Sequence, residues 1–177
     1  DGAAFTGLCC LSTAAVGGAS VLASAGAVSN AILERRPNLH EVLVDGFHHH
    51  RRGQHATGEN PISEMPIAVF GFSDGLLQCT YDRNQSLWAM DEGVVFTAQQ
   101  IEAMDALDSV LADPCYQLAM DLRAGDIQFV NNFTVLHSRT AYVDGPNQQR
   151  HLVRFWLDNP GGNQRGSTVR DLYVREG

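Results

Sequence analysis

The sequence predicts a mostly β protein, a sandwich or jelly roll with a few flanking helices. Short apolar runs recur between Gly, Asn, Asp and Pro turn signals, and only three stretches combine helical periodicity with a cap. The chain has 177 residues, enough for one domain with a real core, and no internal repeat divides it. Residues 1–177 are therefore read as a single domain.

The first strand is expected at residues 5–11, a short and fully apolar run. Gly17-Gly18 turns the chain into a second strand at 19–23. Ser24 caps a helix whose Val28 and Ile32 share a face, and Pro37 ends it. Asn38 with Glu41 has the capping-box pattern for a second short helix. Residues 46–61 are polar and rich in His, Arg and Gly, so a loop is expected there, with room for a short strand at its start. Residues 66–72 and 76–81 flank Ser73-Asp74-Gly75 as a hairpin. Thr97 with Gln100 is another capping box, followed by an apolar stripe of Ile101, Met104, Leu107 and Leu111. Phe96 is placed to staple against Ile101. Strands then follow at 116–122, 126–130, 134–137 and 151–157, with a further one near 169–174.

Acidic residues outnumber basic ones by 20 to 12, a formal charge of −8, which argues against a nucleic-acid or anionic-membrane partner. All the basic residues are arginine. Without lysine there is no Schiff-base chemistry and no phosphate-loop lysine. Cys9, Cys10, Cys79 and Cys115 match neither a zinc ribbon nor a disulfide framework and read as buried free thiols of a reducing compartment. Residues 2–33 carry no charge, but they are rich in Ala, Gly, Ser and Thr and lack a basic leader, so buried structure in a cytoplasmic protein is expected.

Two arginines stand out. In an extended strand Arg150, Leu152, Arg154 and Trp156 share one face. Cations on so apolar a strand need anionic partners, either protein carboxylates or a bound carboxylate gripped in bidentate fashion. His137 ends another apolar strand, where a satisfied core histidine and a ligand are equally good readings. His48-His49-His50, with Arg51, Arg52 and His55, could suggest a surface metal site. Consecutive side chains alternate in direction, however, so a solvated loop is preferred. Asp126 and Asn131-Asn132 suit turn backbone, and Arg83 suits either a pocket wall or a surface ion pair.

The stretch Gly125-Asp-x-x-Phe-x-Asn-Asn-x-x-x-Leu-His137-Ser-Arg is followed by Arg150-His-Leu-x-Arg154-x-Trp-Leu, and the chain opens with Asp1…Gly-Leu-Cys-Cys-Leu…Gly17-Gly18-Ala-Ser20. Together they resemble the taurine dioxygenase and 2,4-dichlorophenoxyacetate dioxygenase family of non-haem iron oxygenases. The resemblance implies a double-stranded β-helix (jelly roll), N-terminally incomplete, with this chain as its C-terminal part. It implies Fe(II) as cofactor and 2-oxoglutarate as cosubstrate. His137 matches the distal histidine of the two-His-one-carboxylate triad and Asp1 its carboxylate; the matching first histidine would lie two residues before Asp1. Arg150 matches the arginine that pairs with the far carboxylate of 2-oxoglutarate, Ser20 the hydroxyl that assists it, and Arg154 a substrate-binding arginine. The His137 to Arg150 spacing is longer than in taurine dioxygenase, so the two arginine roles could be exchanged.

The expected function is oxidation of a C–H bond in a small, carboxylate-bearing molecule by dioxygen, with succinate and CO2 as coproducts. A small-molecule substrate is the expected partner, and self-association into a homo-oligomer is left open. Two other readings stand beside it: a jelly-roll binding module that has lost its metal site, and a divalent-metal hydrolase built on His48, His49 and His50.

Overall fold

The computed structural model describes residues 3–51, 55–73 and 75–157. In chain order the elements are β1 (Phe5–Ser12), β2 (Val16–Gly17), β3 (Ser20–Ser24), α1 (Ala25–Arg35), α2 (Pro37–Asp45), β4 (Phe70–Ser73), β5 (Leu76–Cys79), α3 (Arg83–Asp91), α4 (Ala98–Ala112), a 3-10 turn (Pro114–Tyr116), β6 (Leu118–Met120), β7 (Ile127–Asn131), β8 (Val135–Arg139), β9 (Tyr142–Val143) and β10 (His151–Leu157). The strand expected near 169–174, and Asp1, lie outside the described residues.

Two three-stranded antiparallel sheets form the β layer, ordered β10-β1-β7 and β6-β3-β8. In the first, Leu8 stands opposite Arg154 on one side and Gln128 on the other. Directly paired residues share a face, so Thr6, Leu8, Cys10, Gln128, Val130, Leu152 and Arg154 all point one way. Thr6, Cys10, Gln128 and Val130 are buried, whereas the alternate Phe5, Ile127, Phe129 and Val153 are exposed on the outer face. Gly7 lies opposite Phe155, whose ring fills the space a Cβ would need: such an atom would sit 2.1 Å from the ring. Phe129 meets the same ring edge-on.

The main apolar core lies between the helices and the β4–β5 hairpin, with Val28, Ile32, Leu39, Leu43, Met104 and Leu107 buried at its centre. Ser24 caps α1 by accepting from the Ala27 amide, and the Thr97–Gln100 capping box starts α4 as its sequence predicts. Phe96 packs edge-on against Phe47 within this core. The burial expected of the cysteine thiols is met for Cys10 and Cys79 but not for Cys115, which is exposed.

Four further details depart from expectation. Helix α2 forms, but Asn38 does not cap it: Pro37 occupies the first turn, where its missing N–H costs nothing, and Arg36 precedes it without a side-chain cap bond. The hairpin is shorter than 66–81, because Ile67 pairs with Phe47 and the Val69 amide donates to Leu43. Helix α3 is additional; Asp82 caps it through the Asn84 amide, and Leu87 and Met90 are left partly exposed, so it carries little apolar stripe.

The fourth concerns the histidines, which do not form a solvated loop. His49 is 1% exposed and its amide donates to Ser63 Oγ. His48 Nδ1 pairs with the Ser63 carbonyl, and the His50 amide donates to Gln85. The His50 ring packs edge-on against both His55 and Trp88. The segment is folded under α3, which explains its burial. Among the described residues no cluster of three His, Cys, Asp or Glu side chains could hold a metal ion, so the hydrolase reading has no ligand set there. Nor is any described helix long and apolar enough to cross a membrane.

Candidate active site

The two sheets wall a cavity of about 750 Å³ into which Ser20, His137, Arg150 and Arg154 all project. His137 comes from β8, opposite Leu22 of β3. Burial lowers its pKa and the nearby positive charge of Arg154 acts in the same direction, so the neutral imidazole is favoured near pH 7.

Arg150 stands just ahead of β10, its amide donating to Asp144 Oδ1 at 2.8 Å. Its guanidinium lies 5.2 Å from the centre of the Tyr142 ring. No carboxylate among the described residues pairs with it. Arg154 follows on β10 and lines the same cavity, as does Leu152. Trp156, expected on the same strand face, is 56% exposed and stands outside the cavity lining.

Ser20 is 4% exposed, and its hydroxyl donates to Gln128 Oε1 at 2.5 Å. The hydrogen that the resemblance assigns to a cosubstrate carboxylate is thus held by the protein's own amide. Gln128 reaches it from the facing position on the opposite sheet, while Ser20 still lines the cavity.

Asp1 lies outside the described residues, and the backbone from Ala3 onward is held to the cavity wall. Asn132 donates its side-chain amide to the Ala3 carbonyl and to Thr6 Oγ1, both at 2.8 Å, and its backbone N–H to the Ala4 carbonyl. Asn131 has the turn role expected of it, accepting from the Phe133 amide, and Asp126 likewise accepts from Arg123. Asn132 instead fastens the entrance of β1 to the cavity wall.

Arg83 both lines the cavity and forms ion pairs of 2.6 Å with Asp105 and Asp108, while the Tyr81 hydroxyl donates to Asp108 at 2.7 Å. Four arginines therefore line the cavity: Arg83, Arg139, Arg150 and Arg154. Among the described residues Asp82 is the one carboxylate in the lining, and it is engaged in capping α3.

Sequence reasoning missed Arg139, Tyr142 and Gln128. Arg139 was reachable, because it lies two residues beyond His137 and so on the same strand face. Tyr142 and Gln128 had no sequence signal, since their importance depends on which strands meet.

The family model described as "Taurine catabolism dioxygenase TauD, TfdA family" matches residues 1–156. The chain belongs to the TauD/TfdA family. FR-33289 synthase of Streptomyces rubellomurinus is 30% identical over 163 residues, covering 89% of this chain and 48% of that protein. Among solved structures, asparagine oxygenase in complex with Fe(II), 2S,3S-3-hydroxyasparagine and succinate superposes with a TM-score of 0.64 at 17% identity, over 88% of this chain and 45% of that one. The non-haem iron oxygenase OrfP, in complex with Fe and alpha-ketoglutaric acid, gives 0.54 at 14% identity, over 86% and 43%. These likenesses establish the TauD-like double-stranded β-helix fold. The chain spans about half the length of the relatives it matches.

Proposed function

We propose that the protein carrying this chain is an Fe(II)- and 2-oxoglutarate-dependent oxygenase. It oxidises a C–H bond of a small, carboxylate-bearing substrate with dioxygen, releasing succinate and CO2. The observation that carries the proposal is the convergence, in one cavity between two sheets, of a neutral imidazole and an arginine with no carboxylate partner among the described residues. Membership of the TauD/TfdA family supports the reaction class, and the Fe(II), succinate and alpha-ketoglutaric acid complexes of its structural neighbours are consistent with it.

His137 fits as one nitrogen ligand of the iron. Asp1 is assigned as the carboxylate ligand, with the remaining histidine two residues upstream of it in a longer protein. Residues 1–177 would then be the C-terminal part of the oxygenase domain. What bound ferrous iron supplies is the O2 chemistry; the protein binds, orients and excludes water.

Arg150 is the residue for the far carboxylate of 2-oxoglutarate, because its fork of N–H donors matches a carboxylate edge. Ser20 can assist once the Gln128 amide turns. The Gln128 Nε2 is buried without a partner among the described residues, and in the turned state it would donate to Ser20 Oγ and release the hydroxyl hydrogen toward the cavity. Arg154 lies four residues further on, about 13 Å along an extended strand, too far to share that carboxylate easily. It is assigned to the carboxylate of the substrate, with Leu152 as apolar wall.

The test is release of CO2 from carboxyl-labelled 2-oxoglutarate by the purified protein. Release that depends on both Fe(II) and dioxygen, with succinate formed in equal amount, is the expected outcome. A protein that binds 2-oxoglutarate but never consumes it under these conditions would instead be the binding module.

A further inference from the structure

Arg150 is held by residues from outside its own stretch of chain. Its side chain runs between Gly18 and Tyr142. A Cβ on Gly18 would stand 3.0 Å from Arg150 Nε, 3.2 Å from its Cδ and 3.4 Å from Tyr142 Cβ, so only glycine leaves the passage open; its φ of +82° also favours glycine. Tyr142 is fixed by the ribbon of β2 and β9, where it pairs with Gly17. The adjoining Gly18 and Ala19 amides both donate to Thr140 Oγ1.

The Tyr142 ring holds a second cation. Arg139 Cζ lies 4.5 Å from the ring centre, and Arg139 lines the same cavity as Arg150 and His137. Neither arginine pairs with a carboxylate among the described residues, although the sequence contains 20 acidic residues. Two guanidiniums held by one ring and lining one cavity add their positive potentials there, and a bound anion would relieve their mutual repulsion. The way they are held also matters. A protein carboxylate would consume N–H donors and cancel the charge, whereas an aromatic face restrains a guanidinium and leaves its donors available.

We propose that Tyr142 is a positioning residue which holds Arg150 and Arg139 as a two-cation seat for the far carboxylate of the dicarboxylate cosubstrate. The inference rests on the oxygenase reading above and adds Arg139, Tyr142 and Gly18 to it.

The experiment measures the dissociation constant of 2-oxoglutarate by calorimetry under anaerobic conditions, where no turnover contributes. Tyr142→Leu is expected to weaken binding about three- to thirty-fold, the span of a lost cation–π contact, while Tyr142→Phe keeps the ring and stays within about twofold of the parent. Arg139→Gln is expected to weaken binding at low ionic strength and much less at high salt, as befits a partly solvated cation. Affinity for the oxidisable substrate should stay constant in all three. Melting temperatures check that each variant folds; both side chains reach the surface, and Arg139→Gln provides a reading independent of Tyr142→Leu. Unchanged 2-oxoglutarate affinity in either Tyr142→Leu or Arg139→Gln overturns the two-cation seat. The same change in affinity in Tyr142→Phe as in Tyr142→Leu overturns the role of the ring. Arg150→Gln separates the two levels: if it too leaves affinity unchanged, the cosubstrate assignment itself fails.

Discussion

The Ser20 hydroxyl and the Gln128 side-chain oxygen lie 2.5 Å apart, joining the two three-stranded sheets through a buried hydrogen bond beside the cavity. Ser20 belongs to β3 and Gln128 to β7, 108 residues apart in sequence. Removing one partner leaves the other buried and unsatisfied. Gln128→Leu is therefore expected to cost about 1–3 kcal/mol in urea unfolding and Ser20→Ala about 1 kcal/mol. The double mutant should be less unstable than the sum of the two, by at least about 0.5 kcal/mol. Strict additivity would show that the bond does not couple the sheets.

Arg150→Gln should raise the requirement for 2-oxoglutarate far more than that for the oxidised substrate. A charge-assisted bidentate pair lost from a half-buried site costs about 2–5 kcal/mol, much of it from the carboxylate left without a partner. Steady-state KM values for the two ligands measure the contrast. Equal effects on both would count against the assignment of Arg150.

Arg154→Ala should uncouple the reaction, so that more succinate appears than oxidised product. The uncoupling should be confined to substrates that bear a carboxylate, because only these would meet the guanidinium. Succinate and product are quantified in the same reaction. Coupling that survives with a carboxylate-bearing substrate would remove Arg154 from the substrate site.

His49 should make the fold acid-sensitive. Burial pushes its pKa down to about 4, against about 6.5 in an unfolded chain. As pH falls the unfolded state takes up the proton first, so this stabilisation is complete above about pH 6.5 and is lost on the way down to about pH 4. At full effect it is worth about 3 kcal/mol. Burial lowers the His40 pKa too, so the two act in the same sense. Urea midpoints measured across this range should flatten in His49→Gln without becoming level. An unaltered slope in that variant would show that the buried imidazole does not drive the acid sensitivity.

Much of the fold was legible because the deciding information was local. The Ser24 and Thr97 caps, the α4 stripe and the 151–157 strand follow from short-range pattern, and each stands within a few residues of its expected place. Helix α3 was not legible because its apolar residues do not form a buried stripe, although Asp82 followed by Gln85 resembles the start of a capping box. The histidine stretch was misread for a related reason: polarity suggested water, whereas Ser63 and Gln85 supply the hydrogen bonds that let His49 be buried. In the candidate site, His137, Arg150 and Arg154 could be nominated from residue type, motif order and strand alternation. Gln128 could not, because it acts on Ser20 of another sheet, and Tyr142 could not, because the pairing of β9 with β2 sets where its ring stands.

The arginine-lined cavity has a kinetic consequence. With a formal charge of −8 the chain as a whole repels a small dianion, while among the described residues one concave region presents Arg139 and Arg150 without a carboxylate partner. Low-dielectric walls concentrate the field lines of such a region, so an approaching dianion meets repulsion at long range and attraction once it nears the mouth. At physiological salt the long-range part fades beyond about 8 Å, leaving the local attraction dominant. Capture would then be governed by the electrostatic potential of the mouth, and ionic strength would change the association rate of a dianion more than that of a neutral molecule entering by the same route.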